Sequence, residues 1–317
     1  MRIKLWGVRG SIPTPERRNS RYGGNTACIE VRLDDGTLII LDCGTGLRAL
    51  GKSLVRNAAG SPIRAHIFLT HFHWDHVQGI PFFLPFYAAH NTFLIRAATR
   101  RGSELEAVIR HQMVRPFFPA APEAMRATRI FRGEEDWPVH ASSATIKFAP
   151  LNHPQGAVAY RIEADGAALV YATDTEPGSA EHDRALRELA TGADILVYDA
   201  QYAPPQLMRD KKGWGHSSWL EGTRIARDSN GKRLILFHHD PDSDDATVDA
   251  LVEEAREEFR AVSGAAEGIV LTLRNRLVIE ESDAMHGSEE VGAVAVSARS
   301  MVTVDRSAGR GDAAPLG

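Results

Sequence analysis

Three histidines and an aspartate crowd into residues 71–76, in the stretch Thr70-His-Phe-His-Trp-Asp-His76. They follow Ile67-Phe-Leu69, which reads as the end of a buried strand. On extended backbone, residues two apart point the same way, so His71 and His73 can reach one cation together. Asp75 and His76 arrive as the chain turns and can face a second cation beside the first. Imidazole and carboxylate are ligands that borderline metals such as zinc favour. Four metal-competent groups at this spacing point to metal chemistry rather than to a solvated strand end.

H-x-H-x-D-H after an apolar strand resembles the signature of the metallo-β-lactamase superfamily of hydrolases. The rest of that family's pattern follows in order. His153 lies in Leu151-Asn-His-Pro154, Asp174 closes the run from Ala168, and His238 follows Leu234-Ile-Leu-Phe237. Asp42 ends Leu38-Ile-Ile-Leu41, where the family carries an aspartate that braces the histidine loop. The resemblance spans residues 1–280 and implies an α+β fold, a four-layer αβ/βα sandwich with metals at the strand ends. It implies one site from His71, His73 and His153, another from Asp75, His76 and His238, and Asp174 as the bridge. Two divalent cations about 3.5–4 Å apart share a hydroxide, and one metal alone lowers the pKa of bound water to about 7. Zinc is the first expectation; manganese or iron fits the same ligands. Asp75 is expected to serve catalysis as well as binding.

Three features narrow the branch. Asp174 and His76 complete a dinuclear set, unlike lactamases that carry a cysteine at the bridging position. Gly213-Trp-Gly-His-Ser-Ser218 resembles the Gly-His-Ser-Ser/Thr element of the ribonuclease Z and cyclic phosphodiesterase branch, and Asp194-Ile-Leu-Val-Tyr-Asp199 its strand ending in an acidic residue. His216 and Asp199 therefore read as a dyad in which a carboxylate steadies an imidazolium that protonates a departing alkoxide. Finally, His153 and Asp174 are joined by only two strands and a turn at Asp165-Gly166, where ribonuclease Z carries its long tRNA-gripping arm. The expected substrate is a small phosphodiester of the cyclic-nucleotide or phosphoribosyl cyclic phosphate kind, and nucleic acid is expected not to be a partner. Hydrolysis of a lactone-type ester at the same metals and ribonuclease Z-like RNA processing are the alternatives; a non-catalytic RNA-binding or scaffold role is the reading of another class.

The 317 residues suffice for one large domain with a tail: a hydrolase domain over 1–281 and a disordered segment over 282–317, poor in aromatics and rich in Gly, Ala and Ser. A formal net charge of −4 supplies no general field for nucleic acid. Two cysteines, Cys28 and Cys43, suggest no disulfide framework, and no stretch approaches the ~20 apolar residues of a membrane span. Cytoplasmic localisation is the default. Strands are expected at Ile3–Trp6, in a hairpin from Ala27 to Leu41, at Arg64–Thr70 and Thr92–Ala97, then at Thr145–Phe148, Val158–Ile162, Ala168–Tyr171, Ile195–Tyr198, Arg233–Phe237, Ile269–Leu273 and Arg276–Ile279. Helices are expected from Gly44, at Ser103–Gln112, Ser179–Ala190, Ser217–Asp228 and Asp244–Arg260. Phe82, Phe83, Phe86 and Tyr87, with Phe117-Phe-Pro119, read as core or a homodimer interface. Arg9 and Trp214 are candidate substrate-binding residues, Arg9 for a phosphate oxygen and Trp214 in a glycine-flanked lid.

Overall fold

The computed structural model describes residues 1–98, 102–133, 137, 139–274 and 277–282. The strands are β1 (Arg2–Gly7), β2 (Cys28–Arg32), β3 (Leu38–Leu41), β4 (Arg64–Leu69), β5 (Thr92–Ala97), β6 (Thr128–Arg132), β7 (Val139–Ala141), β8 (Ala144–Leu151), β9 (Ala157–Ala164), β10 (Ala167–Ala172), β11 (Ile195–Asp199), β12 (Leu234–Phe237), β13 (Val262–Gly264), β14 (Ile269–Arg274) and β15 (Leu277–Ser282). The helices are α1 (Gly46–Ala58), α2 (Trp74–Val77), α3 (Gly102–His111), α4 (Ala180–Ala190), α5 (Pro204–Arg209), α6 (Trp219–Asp228) and α7 (Asp245–Glu258). Among the described residues, one sheet runs β15-β14-β1-β2-β3-β4-β5-β6 and the other β13-β12-β11-β10-β9-β8-β7.

Each sheet has an antiparallel half and a parallel half. β3 to β6 are parallel in the first, β10 to β13 in the second. Parallel strands bury both faces, and the alternation of side chains shows how. In β3, Ile39 and Leu41 enter the core between the sheets, while Leu38 and Ile40 pack with Leu47, Leu50 and Leu54 of α1. In β11, Ile195 and Val197 face the first sheet; Leu196 and Tyr198 meet Leu186 of α4, Ile225 of α6 and Val248 of α7. The order helix, sheet, sheet, helix is the expected four-layer sandwich. Asp244 caps α7 by accepting the Thr247 amide at 2.8 Å.

Several elements lie outside the sequence expectation. β6, β7, β13 and α5 are short or half-buried, so neither period 2 nor period 3.6 has room to declare itself. The expected tail falls outside the described residues apart from Ser282, which ends β15. The aromatic run splits: Phe83 and Phe86 are fully buried and meet Phe93 edge-on, whereas Phe82 is about half exposed and touches Phe118. Among the described residues no helix is long and apolar enough to cross a membrane.

That split is testable. Phe83→Ala should cost about 3–5 kcal/mol through the cavity it leaves, and Phe82→Ala no more than ~0.5 kcal/mol, in chemical denaturation midpoints. Equal costs would contradict the packing described.

Candidate active site

The residues singled out in sequence converge on the C-terminal ends of strands from both sheets. Asp42 follows β3, His71 and His73 follow β4, His153 follows β8, Asp174 follows β10, and His238 follows β12. Asp75 and His76 lie in the single turn of α2. Asp42, Asp174 and His238 each turn through the left-handed region, with φ of 57°, 58° and 60°. That conformation is uncommon for non-glycine residues and bends the chain sharply as it leaves the strand. Gly10 lets the neighbouring loop approach: an added Cβ would lie 2.4 Å from His238 Nδ1.

Four imidazoles are turned the same way, with Nδ1 anchored and Nε2 facing inward. His76 Nδ1 donates to Asp42 at 2.8 Å, His238 Nδ1 to Gln201 Oε1 at 2.9 Å, and His153 Nδ1 to the Gly215 carbonyl at 2.7 Å. The Thr70 hydroxyl donates to Asp42 and lies 3.1 Å from His71 Nδ1. Asp42 also accepts the Thr70 amide and the Tyr171 hydroxyl, at 2.8 and 2.9 Å, so this buried carboxylate is fully used. His73 is reversed: Nε2 lies 3.3 Å from Gln155 Oε1 and Nδ1 3.1 Å from His153 Nε2. Fixing one ring nitrogen aims the other, as partners behind metal-binding histidines do.

Asp174 stands at the middle, almost wholly buried. Its Oδ1 is 3.7 Å from His71 Nε2 and 3.8 Å from His153 Nε2. Its Oδ2 is 3.2 Å from His76 Nε2 and 3.4 Å from His238 Nε2. Burial opposes its ionisation, but His238, His76 and His71 around it hold the carboxyl well below the usual carboxylate range. Asp75 completes the second side: its Oδ2 lies 3.2 Å from His238 Nε2 and accepts the Ser11 amide at 2.7 Å. His71-His73-His153, His71-His76-Asp174 and Asp75-His76-His238 each bring ligand atoms within 4.8 Å of one another. The buried Nε2 of His71 has no hydrogen-bond partner, which fits a metal ligand and is costly otherwise. The donor set therefore suits divalent metal beside Asp174.

His216 adjoins this cluster. Its Nδ1 donates to Asp199 Oδ2 at 2.9 Å, and its ring stacks on His238 at 4.9 Å between centroids. Asp199 is itself fixed, accepting the amides of Gln201 and Ser217 on Oδ1 and Thr175 on Oδ2. Burial works against charge on His216, but Asp199 outweighs it and raises the pKa to about 9. The structure thus brings His216 and Asp199 together, with Nδ1 of the ring engaged. His216 ligand atoms also come within 4.8 Å of those of His153 and Asp174, so proximity by itself does not separate donor from ligand.

One expectation needs amending. Arg9 is fully buried, not a phosphate hook: its guanidinium donates to the carbonyls of Gly23, Asp240 and Ser243, pinning the first loop beside β12. Trp214 is more than half exposed, with Lys211 Nζ 3.9 Å from its ring. Its loop packs against the site through Gly215. Sequence reading passed over Thr70, Gln155 and Gln201, which bond histidine rings, and Tyr171, which bonds Asp42 behind them. Gln201 lies two residues past Asp199, a spacing that continues the alternation of β11; the others carry no local signal. Of the paired histidines after β12, His238 enters the cluster, while His239 donates to the Ala265 carbonyl.

A family described as "Beta-lactamase superfamily domain" matches residues 37–239. The chain belongs to the metallo-β-lactamase superfamily. Within the superfamily it is similar to the ribonuclease Z of Haloferax volcanii, 25% identical over 338 residues, covering 92% of this chain and 99% of that one. In structure it is similar to the metallo-β-lactamase fold protein YhfI from Bacillus subtilis, with a TM-score of 0.62 and 21% identity over 85% of this chain and 97% of that one. It is also similar to the short form of human tRNase Z, at 0.57 and 18%, covering 86% and 99%. The two solved structures share its fold, and the similarity to the Haloferax enzyme supports the ribonuclease Z-like branch of metal-dependent hydrolases. The expectation against a nucleic-acid partner finds no support in these relatives, since ribonucleases are among them.

Asp174→Ala removes the carboxylate that faces both ligand sets. Metal analysis of purified variant should find both ions lost or loosened; two tightly held ions with normal turnover would contradict the bridging arrangement.

Proposed function

We propose that this metallo-β-lactamase fold hydrolase cleaves a small phosphodiester, a cyclic one by preference, with His216 as general acid. The observation that carries this reading is the His216–Asp199 hydrogen bond at 2.9 Å beside the cluster around Asp174. Divalent ions, zinc first, held by His71, His73 and His153 on one side and Asp75, His76 and His238 on the other, would supply an activated hydroxide and neutralise phosphate charge. His216 holds a proton on Nε2 for the departing oxygen, and Asp199 fixes the ring and stabilises its charge. Gln201 keeps His238 from rotating, and Asp42 does the same for His76. A carboxylic ester departs more readily without a donor, which is why the dyad favours phosphodiester over lactone. Free thiols at Cys28 and Cys43 fit a reducing cytoplasm.

A second reading, RNA processing of the ribonuclease Z kind, is favoured by the near full-length similarity to the Haloferax enzyme. Against it, β9 and β10 are joined by the two-residue turn Asp165–Gly166, in the interval where the resemblance implies an arm in a ribonuclease Z. A panel of cyclic nucleotides, cyclic ribose phosphates, a lactone and a pre-tRNA separates the readings by turnover.

His216→Ala should keep its metals and lose about 10²–10⁴-fold in rate. The loss should be full for alkyl or ribose leaving groups and shrink for a nitrophenyl ester, whose anion departs unprotonated. Asp199→Asn should follow the same trend more weakly. A uniform loss across the leaving-group series would exclude the general-acid role, and loss of metal would make His216 a ligand.

A further inference from the structure

Three of the loops that build the site meet at one residue outside it, Glu176, and we propose that its carboxylate makes it a positioning residue for both His153 and His216. The inference rests on the reading of His153 as a metal ligand and His216 as proton donor. Glu176 lies two residues beyond Asp174. Its amide donates to the Asn152 carbonyl, and the Asn152 side chain donates back to the Glu176 carbonyl, each at 2.8 Å. The loop after β10 is thereby tied to the residue preceding His153.

The side chain ties in the third loop. Both Glu176 oxygens accept the Gly213 amide at 2.8 Å, and Oε2 accepts the Gly215 amide at 2.9 Å. Gly213 and Gly215 each have φ of 85°, a conformation that glycine adopts without a steric penalty. Backbone amides turned this way make an anion-binding concavity, and here the anion is the protein's own. From Gly215 the constraint passes in two directions. Its carbonyl accepts His153 Nδ1 at 2.7 Å, and the next residue is His216. There is no slack, since a Cβ on Gly215 would lie 2.3 Å from His153 Nδ1. One latch therefore sets the ring of a candidate ligand and the backbone of the proton donor together.

The test uses full-length E176A, E176D and E176Q, with D183A as control. Chelator competition measures metal affinity, and amide hydrogen exchange reports on Gly213 and Gly215. E176A should lose about 10–100-fold in affinity for one of two ions, the range typical of residues that orient a ligand. Exchange at Gly213 and Gly215 should accelerate, and kcat should fall more for alkyl than for nitrophenyl leaving groups with KM little changed. E176D keeps the charge but falls short by a methylene, so it should share these defects and carries the test if E176A does not fold. E176Q keeps one oxygen able to face both amides and should recover most of the affinity. D183A removes a comparable contact to the Gly178 amide, 3.0 Å away on the same connection, and should leave metal affinity unchanged. Wild-type affinity in E176A and E176D, or E176Q as impaired as they are, or D183A matching them, would overturn the proposal. Affinity and exchange need no substrate, so they decide the role of Glu176 even if no phosphodiester is turned over.

Discussion

A buried carboxylate among imidazoles is the constraint on which the rest of the site depends. Asp174 is 1% exposed, and the effective cost of desolvating such a charge is several kcal/mol unless partners offset it. Its two oxygens face different pairs of histidines, His71 and His153 on one side, His76 and His238 on the other. For those rings to present Nε2, each Nδ1 must be occupied elsewhere. Asp42, Thr70, Gln201 and the Gly215 carbonyl do so, and each comes from a different loop. Removing any of these acceptors frees a ring to rotate, so the geometry of the centre is set largely by residues that do not belong to it.

The sandwich makes this convergence possible because the parallel halves of the two sheets end at the same site. β3 and β4 deliver Asp42 and the histidine loop; β10, β11 and β12 deliver Asp174, Asp199 and His238. Left-handed turns at Asp42, Asp174 and His238 bring each side chain inward directly from its strand. Such conformations cost of order 1–3 kcal/mol each and persist where the surroundings over-determine them. Here the surroundings are strands buried on both faces, with Tyr171 bonded to Asp42 and packed edge-on against Phe237.

Much of this was legible in the sequence because the strongest signals are local. The motif at 71–76, the apolar runs before Asp174 and His238, and the Gly-His-Ser-Ser segment each place a polar group at a strand or helix boundary. The central strands were readable since burial on both faces produces unbroken apolar runs, as in Leu38-Ile-Ile-Leu41 and Leu234-Ile-Leu-Phe237. What escaped depends on tertiary proximity. Nothing near Tyr171 in the chain says that its hydroxyl meets Asp42, and nothing near Arg9 says that it will be sealed under the carbonyls of 23, 240 and 243. The region after α2 was harder because its short 3₁₀ turns and half-buried strand β6 have no sustained period. Function divides along the same line: the resemblance carries the chemistry, while the choice between a small diester and an RNA turns on loops and surfaces that vary on one fold.

Anomalous diffraction from crystals of the purified protein, recorded on either side of the metal absorption edge, would locate the ions themselves. Two peaks are expected beside Asp174, one bonded by His71, His73 and His153, the other by Asp75, His76 and His238. Ligand distances should be about 2.0–2.2 Å if the ions are zinc, with His216 bonded to neither. A single peak, or a peak coordinated by His216, would contradict the division between metal ligands and proton donor.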